Sequence, residues 1–143
     1  MTRSFVADPS VAVAWVHPAQ ATAGTGAMLD AVADGASLEV PALWPLEVAN
    51  ALLVLVRRRK LDDAERRTAL GWLQGLPLRI DQDAATLALS RLSDLADTYQ
   101  LSVYDAAYLE LAQRRKLTLA CKDESLQKAA RRAGVRLWAT DSP

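Results

Sequence analysis

The chain has 143 residues, the usual length of one domain, and carries 17 basic and 17 acidic side chains, a formal charge of zero. That balance disfavours a protein that coats polyanions through excess cation. One cysteine and one histidine exclude an internal disulfide, a cysteine-based zinc site and any centre built on paired imidazoles. The hydrophobic fraction of 51% is enough for a buried core and excludes a disordered chain. No stretch of 18 residues is free of charged or strongly polar side chains, as a membrane span requires, and the opening MTRSFVADPS is too polar for a signal peptide. A cytoplasmic protein is expected. Its chemistry must rest on carboxylates, hydroxyls and amides.

In chain order, Phe5–Ala7 is an apolar run ended by Asp8-Pro9-Ser10, which reads as a buried strand leaving a sheet. A short helix follows over Val11–Val16, stopped by Pro18. Thr22–Val32 has helical spacing and closes at Asp34-Gly35. Leu38–Pro41 is a second strand, and Leu43–Arg59 a helix. A further helix starts at Leu61-Asp62-Asp63 and runs to about Leu73, before Gly75 and Pro77. Leu78–Ile80 alternates as an edge strand does. Asp83–Tyr99 and Ser102–Arg115 are helical, Leu117–Ala120 a strand, Asp123–Ala133 a helix, and Val135–Trp138 the last strand. Alternating strands and helices predict an α/β fold with a parallel sheet covered on both faces, in one domain over residues 1–143. The tail 141–143 is expected to fray.

Four acids stand out by position. Asp8 follows the first strand and Asp123 follows the strand 117–120. Glu47 and Asp105 fall in first turns of helices. Ligands of parallel sheets bind outside the carboxyl ends of the strands, so this fold can bring all four to one cleft. Each acid also has a structural reading. Asp8 and Asp123 suit helix N-caps, Glu47 suits the helix dipole after Pro45, and Ser102-Val103-Tyr104-Asp105 is nearly a capping box. Against this stands their apolar company, Leu46, Val48 and Ala49 around Glu47, and Tyr104, Ala106 and Ala107 around Asp105. Clustered carboxylates repel, and a divalent cation removes that conflict. Oxygen-only ligands favour Mg2+, with Mn2+ as a substitute. Asn50, one turn after Glu47, and Ser10, beside Asp8, are supporting candidates, each equally readable as a local hydrogen-bonding residue. Asp62, Asp63, Glu65, Asp94 and Asp97 read as solvated helix faces.

These segments resemble the PIN-domain ribonucleases, most closely the VapC-like toxins of bacterial toxin–antitoxin pairs, over nearly the whole chain. Phe5–Trp15 is similar to that family's opening strand, with Asp8 as first acid and Ser10 as following serine. Val40–Leu52 is similar to its second motif, with Glu47 and Asn50 in register. Leu101–Leu109 resembles its most specific motif, centred on Asp105, and Leu119–Leu126 resembles the last, with Asp123. Cys121 departs from the family's usual threonine or serine, and Pro9 from a small flexible residue. The resemblance implies a three-layer α/β/α domain and Mg2+-dependent endonucleolytic cleavage of RNA, with Asp8, Glu47, Asp105 and Asp123 as metal-binding and catalytic residues. It also implies a cognate antitoxin and a homodimer.

For the RNA grip, Lys122 lies nearest the last acid, while the run Arg57–Lys60 is the densest in cations and equally suits a helix end. Arg114-Arg115-Lys116 sits in the same position on another helix. Trp15, Trp44 and Trp138 suit either base stacking or packing. The tryptophans, with the leucines of 43–56 and 61–76, exceed the needs of one small core and suggest surfaces for a second copy and a partner. One alternative is a non-catalytic PIN-like module that binds protein or RNA. Another is a different Mg2+ enzyme, for which Ser10 and Ala7 stand where a phosphatase or a receiver domain needs acids.

Overall fold

The structure is a computed structural model that describes residues 4–138. The tail 141–143 lies outside the described residues. Five strands form one parallel sheet in the order β3-β2-β1-β4-β5. They are β1 (Phe5–Ala7), β2 (Leu38–Pro41), β3 (Leu78–Asp81), β4 (Thr118–Ala120) and β5 (Leu137–Trp138). β1 is central and buried on both faces, as its unbroken apolar run requires. Phe5 pairs with Leu38 on one side and Thr118 on the other.

The helices are α1 (Pro9–Val16), α2 (Ala23–Ala33), α3 (Trp44–Arg57), α4 (Asp63–Gln74), α5 (Ala84–Leu87), α6 (Ser93–Tyr99), α7 (Val103–Arg115) and α8 (Glu124–Arg132). The chain steps outward from β1 to β3, then reverses through β4 to β5. Right-handed crossovers then place α1–α4 on one face and α5–α8 on the other. The α1–α3, α3–α4 and α7–α8 contacts agree with this three-layer arrangement. Between the layers lie Phe5, Val6, Leu38, Leu52, Tyr108, Leu109, Leu119 and Leu126, all fully buried.

Several boundaries move for identifiable reasons. α1 begins at Pro9, because a proline's fixed φ suits a first turn and its missing N–H costs nothing there. β4 begins one residue after the expected Leu117, whose N–H bonds the Ala112 carbonyl past a left-handed Lys116. β5 shortens because the Val135 N–H closes α8 on Ala130. The helix expected over 83–99 is broken by a π turn at Ala88–Leu92, which changes the helical register. Leu92 is buried there, while Leu89 is 97% exposed.

The tryptophans resolve toward packing. Trp44 is buried in the core, Trp15 donates its indole N–H to the Thr25 carbonyl at 2.7 Å, and Trp138 meets Phe5 edge-on at 4.9 Å. The cations at the end of α7 are also committed. Arg114 forks onto Asp81 (2.7 and 3.0 Å) and onto Glu110 (2.9 Å), while Arg115 bonds Asp81 at 3.1 Å and reaches Glu39 at 3.3 Å. Asp81, Glu110 and Glu39 are all buried, so these arginines pin α7 to β2 and β3. The Arg114 guanidinium holds the Asp81 carboxyl below the usual range. No helix among the described residues is long and apolar enough to cross a membrane.

Candidate functional site

The sheet changes direction between β1 and β4, which opens a crevice at their carboxyl ends. The Asp8 N–H bonds the Ala120 carbonyl at 3.1 Å, so Asp8 leaves the sheet beside the end of β4. Three residues beyond that strand, Asp123 caps α8. The α3 and α7 first turns bring Glu47 and Asp105.

Asp8 sits at the N-cap position of α1 yet makes no capping bond. Its Oδ1 instead accepts the Ser10 hydroxyl at 2.6 Å, and Ser10 Oγ accepts the Lys122 N–H at 3.0 Å. Ser10 thereby ties the turn after β1 to the turn after β4. Asp8 is only 5% exposed. Burial, reinforced by Asp105 and Asp123 against the lowering effect of Ser10, pushes its carboxyl from 3.8 to about 7.

Glu47 is half-buried and its Oε1 accepts the Tyr108 hydroxyl at 2.7 Å. Burial and then Asp105 raise its pKa, against the pull of that hydrogen bond. Asp105 is half-buried as well. Its backbone N–H bonds the Ser102 hydroxyl at 3.0 Å, but its carboxylate does not complete a capping box. Burial and Asp123 raise its pKa. Asp123 is exposed and does cap α8, its Oδ2 accepting the Leu126 N–H at 2.9 Å, which leaves Oδ1 to the cleft. The capping role is therefore complete for Asp123, while the Asp8 and Asp105 carboxylates feel only weaker local hydrogen bonds, from the Val11 N–H and from the Ser102 hydroxyl.

The four acids act on one another in an unbroken series, Glu47 with Asp105, and Asp105 and Asp123 with Asp8. Among the described residues, no Lys or Arg is ion-paired with any of them. Nor do any three His, Cys, Asp or Glu side chains there form a ready-made metal cage. The acids face one open cleft without closing on one point. A divalent ion here would be held by one or two of these carboxylates directly, with water completing its shell.

Asn50 is exposed one turn after Glu47 and has no side-chain partner among the described residues. Lys122 is near the acids, but its Nζ is tied to the Gln20 carbonyl at 2.7 Å. Arg57 is exposed at the far end of α3, about 15 Å along the helix from Glu47, and is not part of this cleft. Cys121 is fully buried beside Asp8, Asp105 and Asp123, and burial pushes its thiol up, so it behaves as an inert packing residue. Sequence reasoning missed Tyr108. Its signal was present: a tyrosine inside the apolar run 106–109, three residues after Asp105, needs a partner for its hydroxyl. A cavity of 590 Å3 lined by Arg91, Gln113, Lys116, Thr118, Gly134 and Arg136 opens at the opposite end of the strands and takes no part in this site.

No family model matches the chain, and no curated protein matches it. Solved structures do. PAE2754 from Pyrobaculum aerophilum is 20% identical, with a TM-score of 0.65 over 96% of this chain and 92% of that one. FitAcB from Neisseria gonorrhoeae is 18% identical, with a TM-score of 0.64 over 95% and 97%. VapBC2 from Rickettsia felis, bound to a DNA fragment from their promoter, is 12% identical, with a TM-score of 0.64 over 94% and 96%. Likeness at this identity establishes the fold, a three-layer parallel α/β domain.

The comparisons correct the family assignment drawn from the four motifs. No family model supports it, and none of these three structures is named as a PIN-domain ribonuclease or a VapC-like toxin. The third is described as VapBC2 bound to a DNA fragment from their promoter. The chain is therefore not placed among PIN-domain toxins. The motifs mark acids after strands (Asp8, Asp123) and in first turns of helices (Glu47, Asp105), placements that the fold itself provides.

Proposed function

We propose that the chain is a divalent-metal-dependent nuclease that cleaves single-stranded RNA and works in assembly with a partner protein, in a toxin–antitoxin setting. The observation that carries the proposal is the series of four facing carboxylates, three with raised pKa and none ion-paired with a Lys or Arg among the described residues. Such a series is costly unless a cation neutralises it. A divalent ion such as Mg2+ or Mn2+, held there by Asp8 and Asp105, would supply Lewis acidity for phosphodiester hydrolysis. Asp8, fixed by Ser10, and Asp105, with no ion pair to a Lys or Arg among the described residues, are the best placed to hold the ion. Glu47, oriented by Tyr108, and the second oxygen of Asp123 complete the acidic wall. Asn50 adds a neutral polar group at its edge.

A single strand suits an open cleft on a chain of zero net charge, which lacks the cation excess that tracks a duplex. The partner protein is proposed from the VapBC2 neighbour, which is an assembly. A second copy is proposed for the groove of 500 Å3 that includes Trp15, Ala69 and Trp72.

One observation favours a second reading, a non-catalytic component of a promoter-bound complex: the Rickettsia felis neighbour is bound to DNA. Incubating the purified chain with single-stranded RNA, the same sequence as DNA, and duplex DNA separates the two. Cleavage of RNA with Mg2+ or Mn2+, abolished by EDTA, supports the first. Metal-independent binding of duplex DNA without cleavage supports the second.

A further inference from the structure

Large apolar side chains left in solvent are few among the described residues. Of the six, Leu46, Val103 and Tyr104 lie within two residues of Glu47 or Asp105. Tyr104 is 65% exposed and Leu46 is 74% exposed. Leaving an aromatic ring in water at a helix start has no stabilising value of its own. The ring is also well aimed. Tyr104 and Tyr108 are four residues apart on α7, so they share one face of the helix. Tyr108 is buried and its hydroxyl holds Glu47 at 2.7 Å. One turn nearer the helix start, Tyr104 lies on that same face and next to Asp105 in the chain. No side-chain hydrogen bond or ring contact engages it among the described residues.

We propose that Tyr104 is the platform on which an unpaired nucleobase of the substrate stacks, next to the phosphate that the acids address. The inference rests on the nuclease reading above and names its substrate class as unpaired nucleotide strands. Stacking tolerates any base because every base has a π-face, and it needs a base released from a duplex. Leu46, across the cleft mouth beside Glu47, supplies apolar surface for the same nucleotide. The arrangement divides the work. The carboxylates and their ion address the backbone, and Tyr104 holds the base, so the cleft needs no cationic groove to retain its substrate.

The test is steady-state cleavage of a single-stranded RNA oligonucleotide by the wild type and by the Tyr104→Ala and Tyr104→Phe variants. It is repeated with substrates lacking one base beside the cleaved bond. Tyr104 is exposed, so neither substitution disturbs the core. Loss of a stacked base corresponds to roughly 5- to 150-fold. Tyr104→Ala should raise KM within that range with little change in kcat, and Tyr104→Phe should retain the wild-type KM. Removing the base should raise the wild-type KM similarly and add nothing to the alanine variant. Active wild type with an unchanged KM in Tyr104→Ala overturns the stacking role and leaves the nuclease reading standing. The same unchanged KM with weakened self-association assigns Tyr104 to a protein contact and likewise overturns it. A wild type that cleaves no RNA overturns both.

Discussion

Replacing Asp8 by Asn should stabilise the metal-free protein, although it alters a buried residue in the centre of the sheet edge. The amide oxygen can still accept the Ser10 hydroxyl that Asp8 Oδ1 accepts at 2.6 Å, and the backbone bond to Ala120 is untouched. What changes is the charge. In the folded chain Asp8 holds its proton up to about pH 7, and in the unfolded chain only to about 3.8. Below pH 3.8 both states are protonated and the group contributes no pH dependence. Between 3.8 and 7 the folded state binds the extra proton, so stability falls as pH rises. Above 7 both are ionised and the full penalty remains. That interval is a little over three pH units, so the penalty is roughly 4 kcal/mol as an upper bound. For a chain of this length that is on the order of 10 °C in melting temperature. Thermal denaturation in EDTA, from pH 3.5 to 8.5, should show wild type and Asp8→Asn alike at the acid end and diverging toward pH 7, with the variant higher. Adding Mg2+ at pH 8 should raise the wild type more than the variant. A variant less stable than wild type at pH 8, or a difference independent of pH, would refute the buried, repelled carboxylate.

Two further perturbations address the framework. Arg114→Met removes the fork that neutralises buried Asp81 and Glu110, and should cost about 3 kcal/mol, the low end for a broken buried pair because the guanidinium is 30% exposed; urea denaturation measures it. Tyr108→Phe keeps the buried ring and removes only the bond to Glu47, so metal-dependent cleavage should fall about tenfold while the fold persists, the loss expected for a modest hydrogen bond. Circular dichroism and kcat with Mg2+ separate the two effects.

How much of this was legible in the sequence depends on the range of each interaction. β1 and β2 were readable because their apolar runs end abruptly, at Asp8-Pro9 and at Pro41. Asp8 and Asp123 were readable because a strand end fixes where the next residues emerge. The three-layer fold followed from the alternation of elements. The Tyr108–Glu47 bond joins residues 61 apart, and the Arg114–Asp81 fork joins residues 33 apart, so no local pattern announces either partner. For that reason the α7 arginines read only as cations at a helix end, when buried acids hold them. Arg57 shared a helix with Glu47, which hid an axial separation of ten residues. The family resemblance went further than the chain supports, because its motifs were acids at strand ends and helix starts, and those report a fold before they report a lineage.

The central claim is that Asp105 serves a cation rather than its helix. Asp105→Asn keeps the side-chain shape and leaves the Ser102 cap, which bonds the backbone N–H, in place. The account predicts that this variant loses cleavage of single-stranded RNA in Mg2+, melts at or slightly above the wild type in EDTA, and gains less in melting temperature when Mg2+ is added. Cleavage at the wild-type rate, with equal Mg2+ shifts in both proteins, would contradict it.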